Sequence, residues 1–136
     1  MNKHPTLSIA VIHDQRAGHL NPSLGIVDSL EKAYTTTLQK IITPSIKKWQ
    51  ISLLKKLSWY PHLFDFCSAI FFKNFQSKQN IDCIICSGMP NLLYGIFVSR
   101  RLKVPLFYAG DLRKVNGQLV NCTITALPQN IQTQQV

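Results

Sequence analysis

Acidic residues are scarce in this chain. Six Asp and Glu stand against fifteen Lys and Arg, a formal charge of +9, so the favoured partners are polyanions: nucleic acid, anionic lipid surfaces or phosphorylated small molecules. Long apolar runs are lacking as well. The N-terminal run from Leu7 to His13 spans seven residues and is interrupted by Ser8, too short for a secretory h-region with a cleavage site. No stretch approaches the ~20 apolar residues of a membrane-spanning helix. The expectation is a cytoplasmic protein, at most peripheral to the inner face of a membrane. Neither the GxGxxG dinucleotide fingerprint nor the lysine-bearing P-loop occurs, which removes support for NAD binding and nucleotide hydrolysis. Internal repeats, low-complexity tracts and interdomain linkers are absent too.

Cysteines are few, and their spacing argues against a metal. Of the four, Cys83 and Cys86 form a CxxC within IDCIICSG, an apolar run that reads as a buried strand. Residues three apart on a strand point to opposite faces, so these two thiols cannot converge on one ion. Cys67 and Cys122 stand alone. Reduced thiols, no metal and no cofactor are expected.

What is present is an α/β pattern. A chain of 136 residues that is 46% hydrophobic supports one domain with a genuine core, placed here over 1–127, with a polar, amide-rich tail over 128–136 that is expected to fray. Short apolar runs recur at Leu7 to His13, Thr36 to Ile42, Ile81 to Ser87, Pro105 to Tyr108 and Val120 to Ala126. They alternate with helical patterns, which predicts a doubly wound, Rossmann-like parallel sheet of about five strands. The first helix is predicted to start at Asn21 as N-cap with Pro22 at N1. Another spans Asn91 to Leu102 and ends on Arg100, Arg101 and Lys103, which suit the C-terminal dipole.

Between the second and third strands, Ile46, Trp49, Leu53, Leu57 and Tyr60 recur at spacings of three and four. Lys47, Lys48, Lys55 and Lys56 fall largely on the other side, so the segment predicts an amphipathic, basic helix ended by Pro61. A second, Phe-rich helix follows over Leu63 to Phe75. This pair either covers the sheet with solvated lysines or presents Lys47, Lys48, Trp49, Lys55 and Lys56 to an anionic membrane surface.

In a parallel α/β sheet, ligands sit outside the carboxyl ends of the strands, where turns and helix N-termini gather. Two turns qualify. In HDQRAGHLNP, amides near Gly18 and the helix start near Asn21 can hold an anion or developing oxyanion, and Arg16 adds a charge. His19 is the best-placed general base, with Asp14 to orient it or to act itself. His13 closes the strand as a structural residue. In SGMPN, Ser87 and Gly88 offer a hydroxyl and free amides to a phosphate or sugar, with Pro90 near the helix start. A third turn, YAGDLRK, places Asp111 and Arg113 after an apolar strand, where a surface ion pair or plain turn is expected. These residues in turns are also ordinary turn formers, so chemistry and simple chain reversal both stay open at this point.

DQRAGHLNPSLGIVDSL resembles the D-G-R-A-G-H-x-x-Q-x-L-G-L-A-x-x-L motif near the N-terminus of the elongated-mitochondria (ELM-type) mitochondrial fission family. IDCIICSGMPNLLYGIFVSRRL resembles that family's second signature, a D-L-V-I-x-x-G strand followed by a turn and a helix with a basic end. The two occur in the family's order and at a compatible distance. The family is similar in turn to GT-B glycosyltransferases, whose first glycine-rich loop also ends in Gly-His followed by a proline, as in GHLNP here. The resemblance implies the N-terminal half of a GT-B fold, with an acceptor bound by this domain and a nucleotide-sugar donor bound by a second one. Asp14, Arg16, Gly18 and His19 fall on the first motif, and Ser87 and Gly88 on the second. Gln15 replaces the usual Gly, Pro22 and Ser23 fall around the usual Gln, and Pro128 is followed by Gln129 and Asn130 where the family carries an acidic or His-Asp pair.

The resemblance covers about half of a two-domain enzyme. Taken alone, the chain is expected to be truncated and inactive, with at most acceptor binding and with a nucleotide-sugar donor as partner only alongside the second domain. The alternative is a non-catalytic module that binds a protein or a membrane surface. No nucleic acid is expected, because the basic residues are scattered rather than aligned on an aromatic-bearing strand face.

Overall fold

The computed structural model describes residues 5–14, 16–73, 75 and 80–124. Among them run β1 (Thr6–His13), α1 (Ala17–Leu30), β2 (Thr35–Ile42), α2 (Lys48–Leu57), α3 (Pro61–Phe71), β3 (Cys83–Ser87), α4 (Asn91–Leu102), β4 (Leu106–Ala109) and β5 (Cys122–Ile124). A single 3₁₀ turn, Gly117–Leu119, precedes β5. The five strands form one all-parallel sheet in the order β2-β1-β3-β4-β5, with helices on both faces. This is the doubly wound, Rossmann-like α/β architecture that the alternating apolar runs predict.

The order follows from connection handedness. The chain moves outward from β1 to β2, then back past β1 to β3 and onward to β4 and β5. Right-handed crossovers therefore place α1 on one face and α2, α3 and α4 on the other. The apolar clusters agree. On the α1 side, Ile9, Val11, Cys83 and Ile85 pack with Val27. On the other side, Ala10, Ile12, Ile84 and Cys86 meet Leu54, Phe64, Leu92 and Ile96. Cys83 and Cys86 thus lie on opposite faces of β3, as their spacing requires. All five residues of β3 are buried, which is why this central strand reads as an unbroken apolar run. β2 lies at the sheet edge and is largely exposed along its length. Gly95 lets α4 settle on the sheet: a Cβ there would lie 3.0 Å from Cys86 Sγ and 3.1 Å from Leu106 Cδ1.

Several expectations need correction. The first helix starts at Ala17 with Arg16 as N-cap, not at Asn21, so Asn21 is an exposed residue inside α1 and Pro22 lies within the helix rather than at N1. The Asn-Pro pair is a good local start signal, but the turn before it is held by a side-chain bond and backbone bonds of its own. The N–H groups of His19 and Leu20 both donate to Arg16 O, at 3.0 and 3.1 Å, and His19 is fastened to Asp14. Second, α2 ends at Leu57 and Pro61 begins α3 instead of merely ending its predecessor; proline at N1 lacks only an N–H that the helix would leave unpaired.

Third, the inward face of α2 centres on buried Leu54, with Ile51 and Leu57 partly buried beside it. Trp49 and Tyr60 are exposed instead. Ile46 and Leu57 of the predicted stripe do pack on the core, so packing against α3 and α4 shifts the inward face toward Leu54 and leaves only the aromatic members exposed. β4 is displaced by one residue from its predicted span and β5 begins at Cys122 rather than Val120. The predicted continuation of β5 to Ala126, the polar tail and Gln15 lie outside the described residues.

The turn between α2 and α3 is fastened to the loop after β4. Asn116 N–H donates to Ser58 Oγ at 2.9 Å and Asn116 Nδ2 to Ser58 O at 3.1 Å, both partners being buried. Trp59 Nε1 donates to Lys114 O at 3.0 Å. No helix among the described residues is long and apolar enough to cross a membrane.

Candidate functional site

The strand order reverses between β1 and β3, and the carboxyl ends of these two adjacent strands flank the crevice where open α/β sheets hold ligands. β1 delivers Asp14, Arg16 and, through the first turn of α1, His19. β3 delivers Ser87 and Gly88. Two motifs separated by some seventy residues are brought together because β1 and β3 pair directly, Ile12 lying opposite Cys86.

The centre of the arrangement is a largely buried Asp–His pair. His19 Nδ1 lies 3.1 Å from Asp14 Oδ1 and 3.0 Å from Oδ2. Burial of Asp14 disfavours its charged form. Hydrogen bonds from His19, the Arg16 N–H and Asn91, with the attraction of His19, outweigh this and hold its pKa below the ordinary value. The carboxylate is therefore ionised at neutral pH and can only accept, which places the imidazole proton on Nδ1 and leaves Nε2 as the basic nitrogen. Arg16 Nε is 3.8 Å from Asp14 Oδ2 with its side chain mostly in solvent, a weak contact that leaves the guanidinium available to a ligand.

The His19 ring rests on Gly88. A Cβ at residue 88 would fall 2.4 Å from His19 Cδ2 and 2.5 Å from Cγ and Nε2, and Gly88 has φ +80°, a left-handed conformation that glycine adopts without strain. Glycine is required here twice, by conformation and by space. The following Met89–Pro90 peptide is cis. Beneath this turn, buried Asn91 accepts from Thr43 Oγ1 and donates through Nδ2 to Ser87 O at 2.8 Å. Thr43 N–H in turn donates to His13 O at 2.8 Å. The ends of β1, β2 and β3 are thus tied beneath the site, which fixes its floor.

Above that floor lies a cavity of about 240 Å³ lined by Arg16, His19, Ser87, Gly88 and Met89 from the first two turns. Tyr108, Ala109, Gly110, Asp111 and Arg113 form its other wall. This is smaller than the ~300–1,000 Å³ of typical small-molecule pockets, so it suits one polar group of phosphate or single-sugar size. Burial pushes the Tyr108 hydroxyl up to about 12, with Cys86 adding to the rise. Tyr108 therefore stays protonated, and it donates to Asp111 O at 3.1 Å.

Of the residues singled out from sequence, Asp14, Arg16, His19, Ser87 and Gly88 converge. Gly18 lies in the first turn of α1 beside them, whereas Asn21 is exposed on α1 and does not line the cavity. Lys47, Lys48, Lys55 and Lys56 lie on α2 and its N-cap, apart from this cavity. Asp111 and Arg113, read from sequence as a plain turn or surface pair, are cavity walls. Asn91, Thr43 and Tyr108 were not singled out. Their position at or just beyond strand ends and, for Asn91, at the start of α4 is the available signal, but it identifies a site only once the sheet order is known. Among the described residues, no three His, Cys, Asp or Glu side chains gather to hold a metal ion.

In comparisons with known proteins, no family model, no curated protein and no solved structure matches this chain.

Proposed function

We propose that this chain is the acceptor-side domain of a GT-B glycosyltransferase-like protein of the elongated-mitochondria type, working with a second domain that holds a nucleotide-sugar donor. The observation that carries this reading is the Asp14–His19 pair, set against Gly88 at the switch point of the sheet. An oriented imidazole with a free basic nitrogen is what activation of a hydroxyl requires. Arg16 and Arg113 line the same cavity and supply positive charge to a phosphate-bearing or otherwise anionic acceptor. In the inverting transfer, the acceptor hydroxyl gives its proton to His19 Nε2. Its oxygen bonds to the anomeric carbon, and the bond from that carbon to the nucleotide diphosphate breaks with its electron pair. Asp14 is the positioning residue and stabilises the imidazolium that forms.

The first test is backbone-amide NMR of the isolated chain titrated with inorganic pyrophosphate and with N-acetylglucosamine 1-phosphate. Saturable shifts at Arg16, His19, Gly88 and Arg113, abolished in Arg16→Ala/Arg113→Ala, are expected. Shifts scattered over the lysine-bearing helices, or none at millimolar ligand, overturn the binding site. The second test is nucleotide-sugar turnover on co-expression with a separately encoded donor domain. His19→Asn should reduce it by about 10²–10⁴-fold, the range general-base removal produces. Undiminished turnover in that variant removes His19 as the base.

A further inference from the structure

The α2–α3 hairpin presents to solvent a face that a water-soluble domain has no reason to keep. Trp49, Trp59, Tyr60, Leu63, Phe66 and Ile70 are each between 47 and 68% exposed. Leu63, Phe66 and Ile70 recur at i, i+3 and i+7 along α3, so they form one stripe. The opposite side of the same helix buries Phe64 and Ser68. The remaining exposed positions of α3 are His62 and Ala69, and neither is a carboxylate. With four aromatics of ~150–250 Å² each more than half exposed, the apolar area is on the order of 600 Å². Summed over the hairpin, that equals the upper end of the ~300–600 Å² of the largest apolar patch on an ordinary monomer.

Charge selects the occupant. From residue 44 to residue 81 the only acidic residue is Asp65, and its carboxylate is occupied by both Nε and Nη2 of Arg100 on α4. Against it stand Lys47, Lys48, Lys55, Lys56, Lys73 and Lys78. Lys48, Trp49, Ser52 and Lys56 share the exposed face of α2, so cations flank an aromatic ring on the outward side. The aromatic turn is held in place by the bond from Trp59 Nε1 to Lys114 O. Trp49 is held by an edge contact with Phe71, ring centroids 5.7 Å apart. Fixed Trp and Tyr beside an apolar stripe and a rim of lysines is the chemistry of a helix lying in the headgroup layer.

We infer that the α2–α3 hairpin is a membrane-docking surface. It seats Leu63, Phe66 and Ile70 at the acyl boundary of an anionic bilayer, with Trp49, Trp59 and Tyr60 at headgroup level and the lysines on lipid phosphates. The sequence-based candidates Lys47, Lys48, Trp49, Lys55 and Lys56 describe the rim. The outward stripe of α3 is its apolar centre. This inference stands apart from the chemistry at His19, since none of these side chains lines that cavity.

The experiment uses the full chain and its own fluorescence, because both tryptophans of the protein lie on the surface in question. Phosphatidylcholine vesicles carrying ~30 mol% phosphatidylglycerol should pull the chain up in flotation and shift its emission to the blue, and raising salt from ~0.05 to ~0.5 M should weaken binding about tenfold or more. Phosphatidylcholine alone should bind at least tenfold more weakly. Leu63→Ser/Phe66→Ser should lose most of the partitioning while retaining the wild-type circular dichroism, since both side chains are exposed. Lys48→Glu/Lys56→Glu should lose the salt-sensitive part. Absence of flotation at low salt overturns the inference, as does binding indifferent to the Leu63→Ser/Phe66→Ser change. A concentration-dependent dimer in sedimentation velocity that this change abolishes, without vesicle binding, overturns it in favour of a second copy of the chain.

Discussion

Replacing Gly88 with alanine tests whether the His19 ring is held where the proposed chemistry needs it. At φ +80° an L-residue pays about 1–2 kcal/mol relative to glycine. The new Cβ, 2.4–2.5 Å from three ring atoms, also forces the imidazole aside and breaks its bond to Asp14. A hydrogen bond to a charged group contributes about 1.5–3 kcal/mol. The lower end applies because both side chains keep some solvent contact. Gly88→Ala should therefore destabilise the wild type by about 3 kcal/mol. In a His19→Ala background the ring is gone and only the backbone cost of about 1.5 kcal/mol remains, a coupling of about 1.5 kcal/mol. Urea unfolding followed by far-UV circular dichroism reads this directly. With a slope of about 2 kcal/mol per molar, the midpoint falls by about 1.5 M in the first background and about 0.75 M in the second. Equal shifts in both backgrounds would refute the claim that His19 is seated on Gly88.

Three further outcomes follow from the structure. The folded-state pKa of Asp14 is lowered from 3.8, so its contribution is fully present above the unfolded-state value and is lost as pH falls through the folded value. The stability gap between wild type and Asp14→Asn should accordingly be constant near neutrality and close below about pH 4 in acid titrations of urea midpoints. Ser23 is fully buried, and its Oγ has no hydrogen-bond partner among the described residues. Ser23→Ala should leave stability unchanged or raise it by up to about 1 kcal/mol in thermal unfolding, and a loss above about 1 kcal/mol would mean that the hydroxyl is paired. Burial pushes the Cys83 thiol up to about 11 and Cys86 higher still, while Cys122 is exposed. Iodoacetamide at pH 8 should label Cys122 first and reach Cys83 and Cys86 only on unfolding, as mass spectrometry of digests would show.

Much of the scaffold is legible in the order of residues. β1, β2 and β3 are readable to within two residues at either end because a strand buried on both faces must be apolar throughout, and an edge strand retains enough of that character to register. The face assignment of Cys83 and Cys86 follows from pleat geometry alone. Helix starts are less legible. Asn21 and Pro22 make a sound local N-terminus, yet the N-cap is Arg16, five residues earlier, because His19 bonds to Asp14 and the Arg16 carbonyl accepts from the next turn. Local preference at a cap is worth about 1 kcal/mol, and the side-chain bond from His19 to Asp14, five residues apart, outweighs it.

The candidate site divides in the same way. Asp14, Arg16, His19, Ser87 and Gly88 carry chemistry that is visible as residue types in two turns, and the resemblance of those turns to a known pair of motifs gives them an order. Tyr108, Asp111 and Arg113 carry the same types of groups but lie on β4 and the loop after it, a strand whose neighbours no local pattern reveals.

By itself the sequence determined the elements, the burial of β3, the excess of positive charge and the identity of the groups at each strand end, because these depend on side-chain chemistry and on periods of two and 3.6 residues. Only the tertiary structure decided which strand ends share a crevice, where the His19 ring rests, and which side chains of the α2–α3 hairpin face water. Those outcomes depend on crossover handedness and on contacts between residues far apart in the chain, and periodicity within one segment carries no information about what will pack against it.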